Sequence, residues 1–82
     1  MRTIIEVITP GNGKTYEIVL DDKLTVGAAK EKIIEQITAF ENGNIAFDEN
    51  VALFSLTTQT RLHDSRNLRV AGVNSGQSIL LL

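Results

Sequence analysis

The chain has 82 residues, 43% of them hydrophobic and 22% charged, with a net charge of −2. A chain of this length forms one domain that buries roughly 60% of its unfolded surface. The acidic balance argues against a nucleic-acid partner, which needs a basic stripe, and the lack of cysteine excludes a disulfide framework and thiolate metal sites.

Thr3 to Pro10 reads as a strand carrying Ile4, Ile5, Val7 and Ile8. Pro10-Gly11-Asn12-Gly13 supplies turn chemistry: proline presets one dihedral, and Gly or Asn accepts positive φ. Tyr16, Ile18 and Leu20 return as a second strand, so Thr3–Leu20 is a β-hairpin. Asp21-Asp22-Lys23 forms a loop, and Thr25 is placed to cap a helix running from Val26 to about Glu41. Val26, Ala29, Ile33, Ile37 and Phe40 recur at steps of three and four and line one face. Asn42-Gly43 ends the helix with the left-handed conformation its C-terminus wants.

Asn44 to Asn50 carries Ile45 and Phe47 and has no clear period. Val51 to Leu56 is a third strand of ambiguous register, with Val51 and Leu53 on one side and Ala52, Phe54 and Leu56 on the other. Thr57 to Thr60 turns the chain, and Asn67-Leu68 leads into a single helical turn. Ile79 to Leu82 is an apolar strand that is best tied down inside a sheet. Hairpin, helix, then strands is an α+β order. One helix crossing the sheet, with the first and last strands parallel at its middle, is the β-grasp arrangement, with four to five strands in a mixed sheet.

Four sets of residues invite a chemical reading. Gly11-x-Gly13-Lys14-Thr15 suggests a phosphate loop, but Ile8 stands where that motif needs its first glycine, and a strand follows where it needs a helix. His63, the only histidine, has no placeable nucleophile beside it and reads as a solvated turn residue. Asp21-Asp22 and Asp48-Glu49 lack the oxygen spacing of a calcium loop. Arg61, Arg66 and Arg69 lie close in sequence and could dock an acidic partner. No catalytic residue, metal site or cofactor is predicted, and the chain is not expected to be an enzyme.

These pieces resemble ubiquitin-like β-grasp proteins in order and spacing. Gly13 to Ile18 and Thr25-Val26 match the second strand and helix start of ubiquitin, and Lys30-Glu31-Lys32-Ile33 is similar to its helix. Leu62-His63-Asp64-Ser65-Arg66-Asn67-Leu68 is similar to its L-E-D-G-R-T-L segment. Val73, Ile79 and Leu81 fall where the family keeps late core residues. The middle, Thr38 to Arg61, is longer than in ubiquitin.

The sequence ends in a leucine strand, whereas conjugated relatives and sulfur carriers end in a flexible Gly-Gly tail. The resemblance is therefore closest to the tail-less bacterial YukD/EsaB-type proteins. It implies a non-conjugated cytoplasmic accessory of type VII (ESX-like) secretion. Two alternatives stay open: a modifier or sulfur carrier whose Gly-Gly tail lies outside this sequence, and a structural homo-oligomer subunit. No signal peptide is read, since Met1-Arg2 leads into alternation, and no apolar run approaches the ~20 residues of a membrane span.

The expected contact surface is apolar. If Ile5 and Val7 face the helix, alternation turns Ile4 and Ile8 outward. If Ile79 and Leu81 do the same, Leu80 and Leu82 turn outward beside them. Ile4, Ile8, Leu80 and Leu82, with Arg61, Arg66 and Arg69 at the rim, form the expected protein-binding set, in a monomer or weak dimer. The competing expectation is that Asn44–Asn50 folds over this face and buries it.

Overall fold

The computed structural model describes residues 1–48 and 50–82. Strands β1 (Arg2–Thr9) and β2 (Lys14–Asp21) form the hairpin. Helix α1 (Val26–Phe40) follows, then β3 (Leu53–Ser55), β4 (Thr60–Arg61) and β5 (Ser78–Leu81). The sheet order is β2-β1-β5-β3-β4, with β5 parallel to β1 and antiparallel to β3. The last strand is therefore the central one, and both of its edges are paired. This is the β-grasp α+β arrangement, with five strands in a mixed sheet and one main helix.

The hairpin turns where its chemistry directs. Gly13 takes φ 69°, a left-handed value that costs glycine little. Gly13 N–H and Asn12 N–H both donate to the Thr9 carbonyl, at 3.0 and 3.2 Å. Lys14-Thr15 of the phosphate-loop lookalike begins β2 and has no helix behind it.

Thr25 caps α1: its hydroxyl accepts from Ala28 N–H at 3.1 Å. Other early helix donors are satisfied by the 63–67 segment. Val26 N–H donates to the Arg66 carbonyl at 2.7 Å, and Gly27 N–H to the Asp64 carbonyl at 3.0 Å. These bonds settle orphan groups that a helix start leaves open, and they fix the loop to the helix. The helix ends at Phe40 with Glu41 as its C-cap, and Asn42 and Gly43 then take φ 54° and 78°.

Val26, Ala29, Ile33 and Ile37 of α1 pack on Ile5, Val7, Ile18, Ile79 and Leu81 of the sheet, all buried. Leu62, Leu68 and Val73 close the core from the loop side. Fifteen such residues form one cluster, and at about 25 cal/mol per Å² of apolar surface its burial is the main favourable contribution to folding. Phe40, expected on the core face of the helix, is instead 64% exposed. It is the last residue of the helix and sets its ring against Tyr16 of β2 with centroids 6.2 Å apart.

Ile45, Phe47 and Val51 are partly buried against the core cluster. Ile45, Phe47 and Val51 line a concavity together with Lys30, Ile34 and Thr38 of the helix. Ile45, Phe47 and Val51 therefore pack on the helix side of the sheet. The Asp48-Glu49 pair falls partly outside the described residues. No helix among the described residues is long and apolar enough to cross a membrane.

Candidate functional site

Directly paired residues of neighbouring strands point to the same side of a sheet, so the register identifies the residues of the face opposite the helix. Ile8 pairs with Thr15 and Leu80, Leu80 with Phe54, and Phe54 with Arg61. One row thus crosses all five strands: Thr15, Ile8, Leu80, Phe54, Arg61. Ile8, Leu80 and Phe54 are half-buried at its centre and lie outside the core cluster. Because Ile45, Phe47 and Val51 sit on the helix side, they do not cover this row.

The next row alternates in character. Glu17 pairs with Glu6, Glu6 with Ser78, and Leu56 N–H donates to the Ser78 carbonyl at 3.3 Å. Beyond it lie Ile4 and Val19, paired and 46% and 37% exposed. The four expected aliphatics are therefore not contiguous. Ile8 and Leu80 touch rows directly, whereas Ile4 is set apart by the Glu6 row. Leu82 continues past Leu80, exchanges backbone bonds with Ala52 at 2.9 and 3.0 Å, and keeps its side chain exposed.

The three arginines separate. Arg61 belongs to the outer face through its pairing with Phe54. Arg66 shares a concavity of about 220 Å³ with Arg61, His63 and Thr60. Arg69 is drawn away, its Nε 3.9 Å from Asp22 Oδ2 at the end of β2. The expected basic rim is thus a pair, Arg61 and Arg66, and not a triplet. His63 is exposed, and its neighbour Asp64 pairs with Lys30 Nζ at 3.3 Å. Adjacent in sequence, the imidazole and the carboxylate serve different contacts.

Two features of this face escape a reading of the sequence. Phe54 was visible only as one side of an ambiguous strand, and pairing with Leu80 gives it its place. The opposed Glu6 and Glu17 depend on hairpin register, although their position on the outward phase of each strand was a usable signal. Glu6 accepts from Ser78 Oγ at 3.0 Å. Neither glutamate, nor Arg61, takes part in an ion pair among the described residues.

The charge cluster at the start of β2 has a structural task. Lys14 Nζ reaches both carboxylate oxygens of Glu41 at 3.0 Å, and Tyr16 Oη donates to Glu41 Oε1 at 2.8 Å. The Tyr16 hydroxyl, and then the Lys14 ammonium, hold the Glu41 carboxyl below the ordinary carboxylate value. The hydrogen bond to Glu41 and its negative charge raise the Lys14 amine. These bonds tie the hairpin to the helix C-terminus. Asp21 is likewise lowered, chiefly by the Lys23 backbone N–H at 2.9 Å. Among the described residues no group of three His, Cys, Asp or Glu is close enough to hold a metal ion.

Comparison with known proteins places the fold. No protein-family profile matches the chain, and no curated protein matches it. Solved structures do. The EccD5 ubiquitin-like domain from Mycobacterium xenopi superposes with a TM-score of 0.76 at 14% identity, covering 100% of this chain and 93% of that one. Caldiarchaeum subterraneum ubiquitin gives 0.71 at 21% identity, covering 99% and 91%. A de novo designed protein based on ubiquitin gives 0.75 at 17% identity, covering 99% and 87%. The chain has a ubiquitin-like fold.

Proposed function

We propose that this chain is a protein-interaction module that binds a protein partner through the open sheet face. Ile8, Leu80 and Phe54 form the apolar centre, Ile4 and Leu82 extend it, and Arg61 and Arg66 orient the partner. The observation that carries this reading is the uncovered row Ile8–Leu80–Phe54. Three adjacent apolar side chains are only half-buried there, while Ile45 and Phe47, which could have covered them, pack against the core cluster. Contiguous apolar surface of this kind marks interaction sites, and flanking charges set orientation and encounter rate more than affinity.

The module works without chemistry of its own. It is a non-conjugated cytoplasmic accessory of type VII (ESX-like) secretion in a bacterium, a role carried by the sequence resemblance to YukD/EsaB-type proteins. The test is retention of cellular proteins by the immobilised chain, compared with folded Leu80→Ser and Phe54→Ser variants. The expected result is that a component of the secretion apparatus is held by the parent chain and lost by both variants. Equal retention by all three moves the contact elsewhere. A coding sequence that runs past Leu82 into a Gly-Gly tail replaces the accessory role with a modifier or carrier.

A further inference from the structure

The outer face is polarised, and the polarity is symmetric about the central strand. β5 is the middle of five strands, with β1 and β2 on one side and β3 and β4 on the other. The β1/β2 side carries Glu6 and Glu17, directly opposed and without a cation. Like charges in that position repel, so the pair is better placed when a cation arrives from outside. The β4 side carries Arg61 without an acidic partner among the described residues. Arg2 and Asp21, also paired across the hairpin, sit two rows beyond the glutamates, and Asp21 lies 3.5 Å from the Met1 amino group.

We infer that this face pairs with the same face of a second copy of the chain, about a two-fold axis running along β5. This deepens the reading of the open face as a contact surface and rests on it. A closed two-copy contact must be self-complementary, and this axis makes it so. Rotation about it lays Leu80 on Leu80, and Ile8 of each copy on Phe54 of the other. The same rotation brings the β1/β2 side of one copy over the β3/β4 side of its mate. Glu6 and Glu17 then face Arg61 from one row away, roughly 7 Å along the strand, a gap an extended arginine side chain can cover. A two-fold axis across the strands through the Leu80 row would instead lay Arg61 on Arg61 and carry the glutamates away from it, so the charges select one orientation.

The size of the contact sets its strength. Five strands about 4.8 Å apart, crossed by segments of about four residues, outline on the order of 350 Å² of flat area per copy, below the ~800 Å² of a standard interface. The pair is therefore weak and readily displaced, so that self-pairing shields the apolar row until another protein competes for it.

Sedimentation velocity of the whole chain across a concentration series, at low and high salt, tests this. The expected result is a monomer–dimer equilibrium that weakens with added salt. Arg61→Glu alone, or Glu6→Arg with Glu17→Arg, should each weaken it by about tenfold or more. The triple variant, with the charges exchanged, should restore it. Thermal melts of each variant confirm folding, and all three positions are exposed. A chain that stays monomeric up to its solubility limit overturns the self-pairing and leaves the face to a different protein, with the retention experiment untouched. Dimers indifferent to these charge changes and to Leu80→Asp overturn it by placing the contact elsewhere. Retention lost in Leu80→Ser with no dimer at any concentration therefore upholds the binding module and sinks the self-pairing alone.

Discussion

Ile79 and Leu80 are consecutive residues of one strand, both large and aliphatic. Ile79 is 1% exposed beneath the helix, whereas Leu80 is half-buried on the opposite face. The same contrast separates Val7 from Ile8 and Leu53 from Phe54. Alternation assigns each pair to opposite sides of the sheet, but the difference between the sides comes from the single helix, which can cover only one. The inner face is where stability is made. The outer face has side chains of similar type that contribute less to folding and remain available for contact.

The sharpest way to break this contrast is to truncate the inner member. Ile79→Ala should cost about 2–5 kcal/mol, the range for a large aliphatic deleted from a closed core, measured as a shift in the urea midpoint at unchanged slope. Next comes the device that holds the helix over the inner face. Thr25→Ala removes the cap bond to Ala28 N–H and should cost about 1 kcal/mol, by the same measurement. Phe40→Ala probes where the inner face ends. Since the ring is mostly exposed and touches Tyr16 at the margin, the loss should be at most about 1 kcal/mol; a core-sized loss would extend the inner face to the last helical turn.

The smallest effect is a pH dependence. Glu41 is held below its ordinary value of 4.5, so its contribution is present above that value and is lost as pH falls through the lowered folded value. Lys14 is raised above 10.5, so its contribution is present below that value and is lost as pH rises through the raised folded value. Stability should therefore hold a plateau between these limits. In Glu41→Gln both limbs should flatten slightly in unfolding curves taken across pH, and an unchanged profile would deny the cluster any part in joining hairpin to helix.

Much of this was legible beforehand. The hairpin, the Thr25 cap, the helix from Val26 and the central place of the strand expected at Ile79–Leu82 each follow from local chemistry or strict period, and the structure reproduces them, with the strand at Ser78–Leu81. The outward direction of Ile4, Ile8 and Leu80 followed from period alone. Adjacency did not. That Phe54 stands beside Leu80, that Glu6 opposes Glu17, and that Ile4 is separated from Ile8 are facts of strand pairing, which no single strand's alternation encodes. Arg69 was grouped with Arg61 by closeness in sequence, yet the intervening loop carries it to Asp22. Phe40 kept the helical period but, as the last residue of the helix, stays mostly exposed with only its contact to Tyr16. Asn44 to Asn50 had no period to read, and only the packing of Ile45 and Phe47 against the core cluster shows which face they take.

The central claim, that the outer face is surface and not core, meets its most direct test in equilibrium unfolding of Leu80→Ser. The account predicts a folded protein that loses no more than about 1 kcal/mol. A loss of about 3 kcal/mol or more, the cost of emptying a buried leucine site, would show that the face is part of the core and would contradict both the binding surface and the paired copy.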